Sequence, residues 1–214
     1  MSDPEDHPLI DDFTLLTAPW VTPRQRRRCE RFLTASSEPD ATFALRTLPI
    51  QSVHWHPDTS SMLFDTTVVT VTFTGHLIHA RYNSELGSPP TYSVAVECMT
   101  TADHHALATI ASLSPEPGKL LSVYFLPPTN TTPDLIPDHF LSTISMAIIH
   151  KPFVNVFDAT HRIRPLRVSL PISFLTLTAR DLVNVQATVT KDFKQGSLHF
   201  NLVAIHLLQR APRQ

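Results

Sequence analysis

Glycine is nearly missing from this chain. It has four in 214 residues, at Gly75, Gly87, Gly118 and Gly196. Phosphate-cradling turns need glycine, so a nucleotide-binding α/β enzyme fits this composition badly. Cysteine is scarcer still, with only Cys29 and Cys98. Two such residues make neither a disulfide framework nor a zinc spacing, and a reducing compartment is the simpler setting. No apolar run approaches the roughly 18 residues that read as a membrane span. The opening stretch MSDPEDHP is acidic, unlike a secretory signal peptide, so the expectation is a protein that is not secreted. Catalytic signatures are missing too: no G-x-S-x-G, no G-K-[ST] loop, no H-E-x-x-H and no C-x-x-C.

Proline takes over the punctuation that glycine usually supplies, with 19 residues. Between the prolines run segments rich in Thr, Val and Leu. Val69, Val71 and Phe73 alternate with Thr70, Thr72 and Thr74, the period-two pattern of a half-buried strand. Gly75 is expected to end that run, His76 to Tyr82 to form a second strand, and Tyr92, Val94, Val96 and Cys98 to share one face of a third, giving an antiparallel meander. Further strands are expected at Phe43 to Leu48, Ile50 to Trp55, Lys119 to Leu126, Phe153 to Phe157, Arg162 to Leu170, Ile172 to Thr178, Leu182 to Thr190 and Leu198 to Leu208. Pro171 interrupts its run, which argues for an edge or bent strand. Thr22 is a good N-cap and Pro23 suits the first helical position, so a short helix is expected at Pro23 to Leu33. A second is expected at Ala102 to Leu113, capped by Thr100 or Thr101, and a third at Asp138 to Ile149. The fold expected is mainly β: an antiparallel β-sandwich or jelly-roll-like body with one or two short helices. Residues 1–41 are expected to form an acidic arm followed by a basic, helical segment, and residues 42–214 a single β-rich domain.

Charge is segregated along the chain. Residues 1–20 carry a net charge of −5, residues 21–46 +3, residues 47–159 −6 and residues 160–214 +6. A chain striped in this way can present opposite potentials to different partners, or to copies of itself. The densest basic cluster is Arg24, Arg26, Arg27, Arg28 and Arg31. On a helix, Arg24, Arg27, Arg28 and Arg31 share a face. Arginine forks match phosphate oxygens, so these residues are candidates for binding nucleic acid or an anionic membrane surface. The bland alternative is a solvated helix face, or an internal partner for the acids between Asp3 and Asp12. Arg162, Arg164 and Arg167 form a second basic group, with Arg162 and Arg164 expected on one strand face, either as a phosphate surface or as ordinary exposed strand residues.

Pro89, Pro90 and Tyr92 lie in the sequence PPTY, which has the PPxY form read by WW-type modules. Tyr92 also has the parity of Val94 and Val96, so it can equally begin a strand. Twelve histidines include His54-x-His56, His76-x-x-His79 and His104-His105, but no spacing makes three or four ligands converge. Asp58 and Asp65 lie near His54 and His56 and form an acid–imidazole neighbourhood. No cofactor, metal site or catalytic residue is expected.

An acidic arm, a basic segment and an all-β body with Pro- and Thr-rich loops are together similar to the format of viral structural proteins. Two kinds fit. A matrix protein links an anionic membrane surface to a ribonucleoprotein and recruits host modules through PPxY; a jelly-roll coat protein of a small RNA virus turns its basic segment to the genome. Either implies a non-enzymatic homo-oligomer, located in the virion and host cytoplasm, or in the cytoplasm if the chain is cellular. A histidine-site metalloenzyme built on His54, His56, His76 and His79 and a monomeric β-sandwich adaptor are the readings from other classes.

Overall fold

A computed structural model describes residues 19–83, 91–113, 142–147, 153–162, 168–192 and 197–213. In chain order these hold α1 (Pro23–Leu33), β1 (Ser36–Ser37), β2 (Thr42–Ala44), a 3-10 turn (Leu45–Thr47), β3 (Val53–Trp55), β4 (Met62–Phe64), β5 (Thr67–Val68), β6 (Thr70–Asn83) and β7 (Thr91–Cys98). Then follow α2 (Thr101–Ser112), β8 (Ser142–Ala147), β9 (Val156–Asp158), β10 (Leu170–Pro171), a second 3-10 turn (Phe174–Thr176), β11 (Leu182–Asp192) and β12 (Ser197–Gln209). Among the described residues the body is mainly β with two α-helices.

Nine strands form one sheet in the order β1-β2-β6-β11-β12-β9-β10, with β7 beside β6 and β8 beyond β7. The sheet curls far enough to bring β8 near β12. Most pairs are antiparallel, but β2 pairs with β6 and β9 with β12 in parallel. β3, β4 and β5 make a small separate sheet, giving a β-sandwich-like body. β10, which carries Pro171, sits at the end of the main sheet, where a residue without an N–H is tolerated.

The alternation read in the sequence becomes layers. Phe73 faces Val185, Val185 faces Ile205 and Ile205 faces Val156, so one apolar row crosses four strands. All four are buried, and burying each such side chain is worth roughly 1.5–3 kcal/mol. The next row points to the other face: Thr74, Asn184, His206 and Phe157. It is buried as well, because α1 covers a second, smaller core on that side, built from Val21, Cys29, Leu33, Met99, Ala159, Leu182 and Leu208. The division expected at residue 41 falls inside the pairing of β1 with β2, where Ser36 faces Phe43.

Several elements differ from the sequence reading. Gly75 does not end a strand. β6 runs straight through it, and a Cβ there would lie 1.9 Å from the Glu97 carbonyl oxygen, so glycine serves close approach of the β7 backbone. Of the segment expected as a helix at 138–149, Ser142–Ala147 is a strand on the free edge of β7. Phe43 to Leu48 begins as strand but turns into a 3-10 turn at Leu45–Thr47. Ile172 to Thr178 also holds a 3-10 turn, because the Ser173 hydroxyl accepts the Leu175 N–H at 3.3 Å and closes it. The strand expected at Lys119 to Leu126 lies outside the described residues, as does much of that expected at Arg162 to Leu170. α2 forms where expected: Thr100 caps it, its hydroxyl accepting the Asp103 N–H at 3.2 Å and donating to the Asp103 carboxylate at 2.8 Å.

Candidate functional site

α1 starts where Thr22 and Pro23 dictate. The Thr22 hydroxyl accepts the Gln25 N–H at 3.2 Å. Cys29 and Leu33 face the sheet and are buried, which turns the arginine stripe outward. Burial pushes the Cys29 thiol up to about 12, so it is an inert apolar group.

Two side chains on α1 fix the helix to the body. Gln25 Nε2 donates to the carbonyls of Thr160 at 3.0 Å and Leu208 at 3.1 Å. The Arg28 guanidinium donates to Gln25 Oε1 and Thr160 O at 2.8 Å each, and to Ala159 O at 2.6 Å. Burial lowers the Arg28 pKa from its ordinary value, with Arg24 adding to the effect and Cys29 opposing it. Just beyond β9 the chain turns. Asp158 Oδ1 accepts the Thr160 N–H at 2.9 Å and the Thr160 hydroxyl at 2.7 Å, and these bonds hold the Asp158 carboxyl below its usual pKa.

That turn carries His161 and Arg162 to the exposed side of α1. The result is a groove of about 530 Å³ lined by Arg24, Arg27, Arg28, Arg31, Phe32, His161 and Arg162. Two basic groups separated by 130 residues of sequence therefore meet on one concave surface. Among the described residues no carboxylate lines it. Five guanidinium groups around one concavity repel one another, and a bound polyanion relieves that repulsion. Phe32 and His161 add flat rings to the same walls.

Arg26 is not part of the groove. It is half-buried, and its Nε finds no hydrogen-bond partner among the described residues. Arg162 lies in a turn, not on a strand, and Arg164 lies outside the described residues. Phe32 and His161 escaped the sequence reading. Phe32 was legible in principle, because it follows Arg28 by one helical turn; His161 could be found only as a neighbour of Arg162.

Pro89 and Pro90 also lie outside the described residues. Tyr92 faces the core at 7 % exposure, its ring 6.2 Å from that of Phe153 and 5.1 Å from that of Phe174. The strand-start reading of Tyr92 describes its position, and a tyrosine so packed is not presented to a WW-type groove.

His54, His56, His76 and His79 do not assemble into one site. His54 is exposed on β3, and His56 Nδ1 accepts the N–H groups of Asp58 and Thr59 at 3.1 and 3.2 Å, serving a turn. His76 meets the Trp20 ring edge-on at 5.3 Å, its Nδ1 is 3.2 Å from the Arg180 carbonyl oxygen, and burial lowers its pKa. Burial also lowers that of His79, with Arg81 adding to the effect. Among the described residues no three histidine, cysteine or carboxylate side chains are placed to hold a metal.

No protein-family model, no curated protein and no solved structure matches this chain.

Proposed function

We propose that this chain is a non-enzymatic, self-associating structural protein that holds the phosphate backbone of single-stranded RNA in the α1 groove, in the manner of a coat protein. One observation carries the reading: Arg24, Arg27, Arg28 and Arg31 converge with Arg162, His161 and Phe32 on one concavity of about 530 Å³. A cationic groove edged by aromatic rings suits a flexible strand, whose phosphates meet guanidinium groups while its bases stack. Its concave shape suits a strand better than the plane of a membrane, and for that reason the coat-type reading stands ahead of the matrix-type one.

The test is light scattering behind size-exclusion chromatography, at low and at physiological salt, with oligouridylate or with anionic phosphatidylserine vesicles. Assemblies that grow with RNA, and dissolve as salt rises, support the proposal. Growth on vesicles alone moves the reading to a matrix protein. A monomer of 24.0 kDa in every condition overturns both.

A further inference from the structure

We propose that His206 is an acid trigger for the groove: once protonated, its ring no longer stays buried beneath α1, the groove walls part, and the bound RNA is released. The inference rests on the groove being the RNA site, and it adds how that site is regulated.

The first argument is an imidazole with nothing to bond to. His206 is 1 % exposed, and neither ring nitrogen finds a hydrogen-bond partner among the described residues. It lies on the face of β12 that α1 covers, between Asn184 of β11 and Phe157 of β9. Asn184 turns away, its Nδ2 donating to the Thr74 hydroxyl at 2.9 Å. The Phe157 ring packs on the imidazole with centroids 5.5 Å apart. A neutral ring tolerates this setting; a cation does not, because a buried charge needs a partner.

The charged and titratable groups on the surrounding elements offer none. On α1, Arg28 is itself a cation, and the Cys29 thiol, pushed up to about 12, is neutral. At the end of β9, Asp158 Oδ1 is taken up by Thr160. Asp181, which precedes β11, pairs with Arg210 at 3.0 Å. One row along the same face lie His76 of β6 and, opposite it, Glu97 of β7. Burial lowers the pKa of His76 and raises that of Glu97, so acid neutralises that carboxylate.

The second argument is which element gives way. β12 is paired with β11 from Ser197 to Gln209, so the strand that bears His206 is held. α1 is joined to the body by the buried Cys29 and Leu33 and by bonds from Gln25 and Arg28 to the carbonyls of Ala159, Thr160 and Leu208. A helix of 11 residues is marginal on its own in water, so once lifted it does not persist. β9, on the other side of the ring, is three residues long. α1 is one wall of the groove, and β9 leads into the turn that forms the other. Hydrating His206 through either element therefore parts the walls.

The experiment compares the full chain with His206→Leu, and with His206→Gln where the leucine variant does not fold. The first readout needs no RNA: hydrogen exchange of α1 by mass spectrometry, taken as the ratio of parent to variant at each pH so that the intrinsic pH dependence of exchange cancels. Burial lowers the His206 pKa from 6.5 to about 4. An opening that exposes the ring is then favoured about tenfold more in the parent than in the variant at pH 5.5, and about 75-fold more at pH 4.5. That acceleration is expected in α1, with α1 exchange nearly independent of low urea while β11 exchange climbs steeply with it. A ratio of one at pH 4.5 overturns the proposal. Equal urea dependence of α1 and β11 overturns it too, since α1 then opens only with the whole fold. The second readout is the affinity for a fluorescein-labelled oligouridylate, expected to be equal in parent and variant at pH 7.5 and several-fold weaker in the parent at pH 4.5. Equal affinity at pH 4.5 overturns the release. Opening of α1 in acid with no RNA binding by either protein at pH 7.5 keeps the trigger and removes the RNA reading instead.

Discussion

Arg28 donates to the carbonyl of Thr160 at 2.8 Å, and this bond joins the two walls of the groove. One wall is α1; the other is the turn after β9 that bears His161 and Arg162. The arginine that sequence reading groups with its neighbours as a phosphate ligand is thus also the residue that assembles the site.

Replacing Arg28 should therefore separate from replacing its neighbours. Arg28→Ala loses three hydrogen bonds from a charged donor and takes from the Ala159 carbonyl its guanidinium partner, while the Thr160 carbonyl keeps Gln25 Nε2, at a cost of about 2 kcal/mol in urea denaturation. Arg24→Ala and Arg31→Ala remove exposed side chains, and their stability should stay within about 0.5 kcal/mol of the parent.

The same neighbours should control the salt dependence of binding. Each of Arg24→Ala, Arg27→Ala and Arg31→Ala should weaken oligouridylate binding and shallow the slope of log K against log salt by about 0.7. Arg26→Ala should leave the slope alone, since Arg26 is outside the groove. Fluorescence anisotropy across a salt series measures both quantities.

Gly75→Ala should be severe. The new methyl would lie 1.9 Å from the Glu97 carbonyl oxygen and 2.8 Å from Val96 Cγ1, and backbone cannot move aside cheaply in the middle of a sheet. A loss of about 3 kcal/mol is expected from overpacking of this kind, read as a lowered urea midpoint.

Tyr92→Ala should cost about 3 kcal/mol or more, because it empties a ring site against Phe153 and Phe174. The folded parent should show no binding to an isolated WW module that depends on Tyr92. Isothermal titration with the parent and with Tyr92→Phe, which keeps the ring and its packing, checks this.

Stability should fall in mild acid. Neither ring nitrogen of His206 finds a partner among the described residues, and burial lowers its pKa from 6.5 to about 4. Between those values the unfolded chain takes up a proton that the folded chain excludes, so the stabilisation is complete above pH 6.5 and is lost as pH drops toward about 4. The size is on the order of 3 kcal/mol. Burial moves His76 the same way, whereas it raises the pKa of Glu97, which gives the opposite slope. Comparing the parent with His206→Leu isolates the one group: the variant should show a flatter fall in unfolding free energy across this window.

Local chemistry made much of the architecture readable. Thr22, Pro23 and the arginine stripe define α1 without help from the rest of the chain, because a cap, a preset φ and a helical period are all short-range signals. Alternation in residues 182–190 and 198–208 defines β11 and β12 for the same reason. The sequence also determines the charge stripes and the shortage of glycine, and with them the classes of chemistry that fit poorly.

Only the tertiary structure decided the rest. Ser142–Ala147 mixes Ile and Thr with helix-tolerant residues, and the open edge of β7 settles it as a strand. Gly75 looks like a break until the Glu97 carbonyl is seen against it. The groove itself could not be read from the chain, because Arg162 and α1 are brought together by bonds from Arg28 and Gln25 to carbonyls more than 130 residues away. A backbone carbonyl carries no side-chain identity, so the sequence holds no mark of where those donors will land.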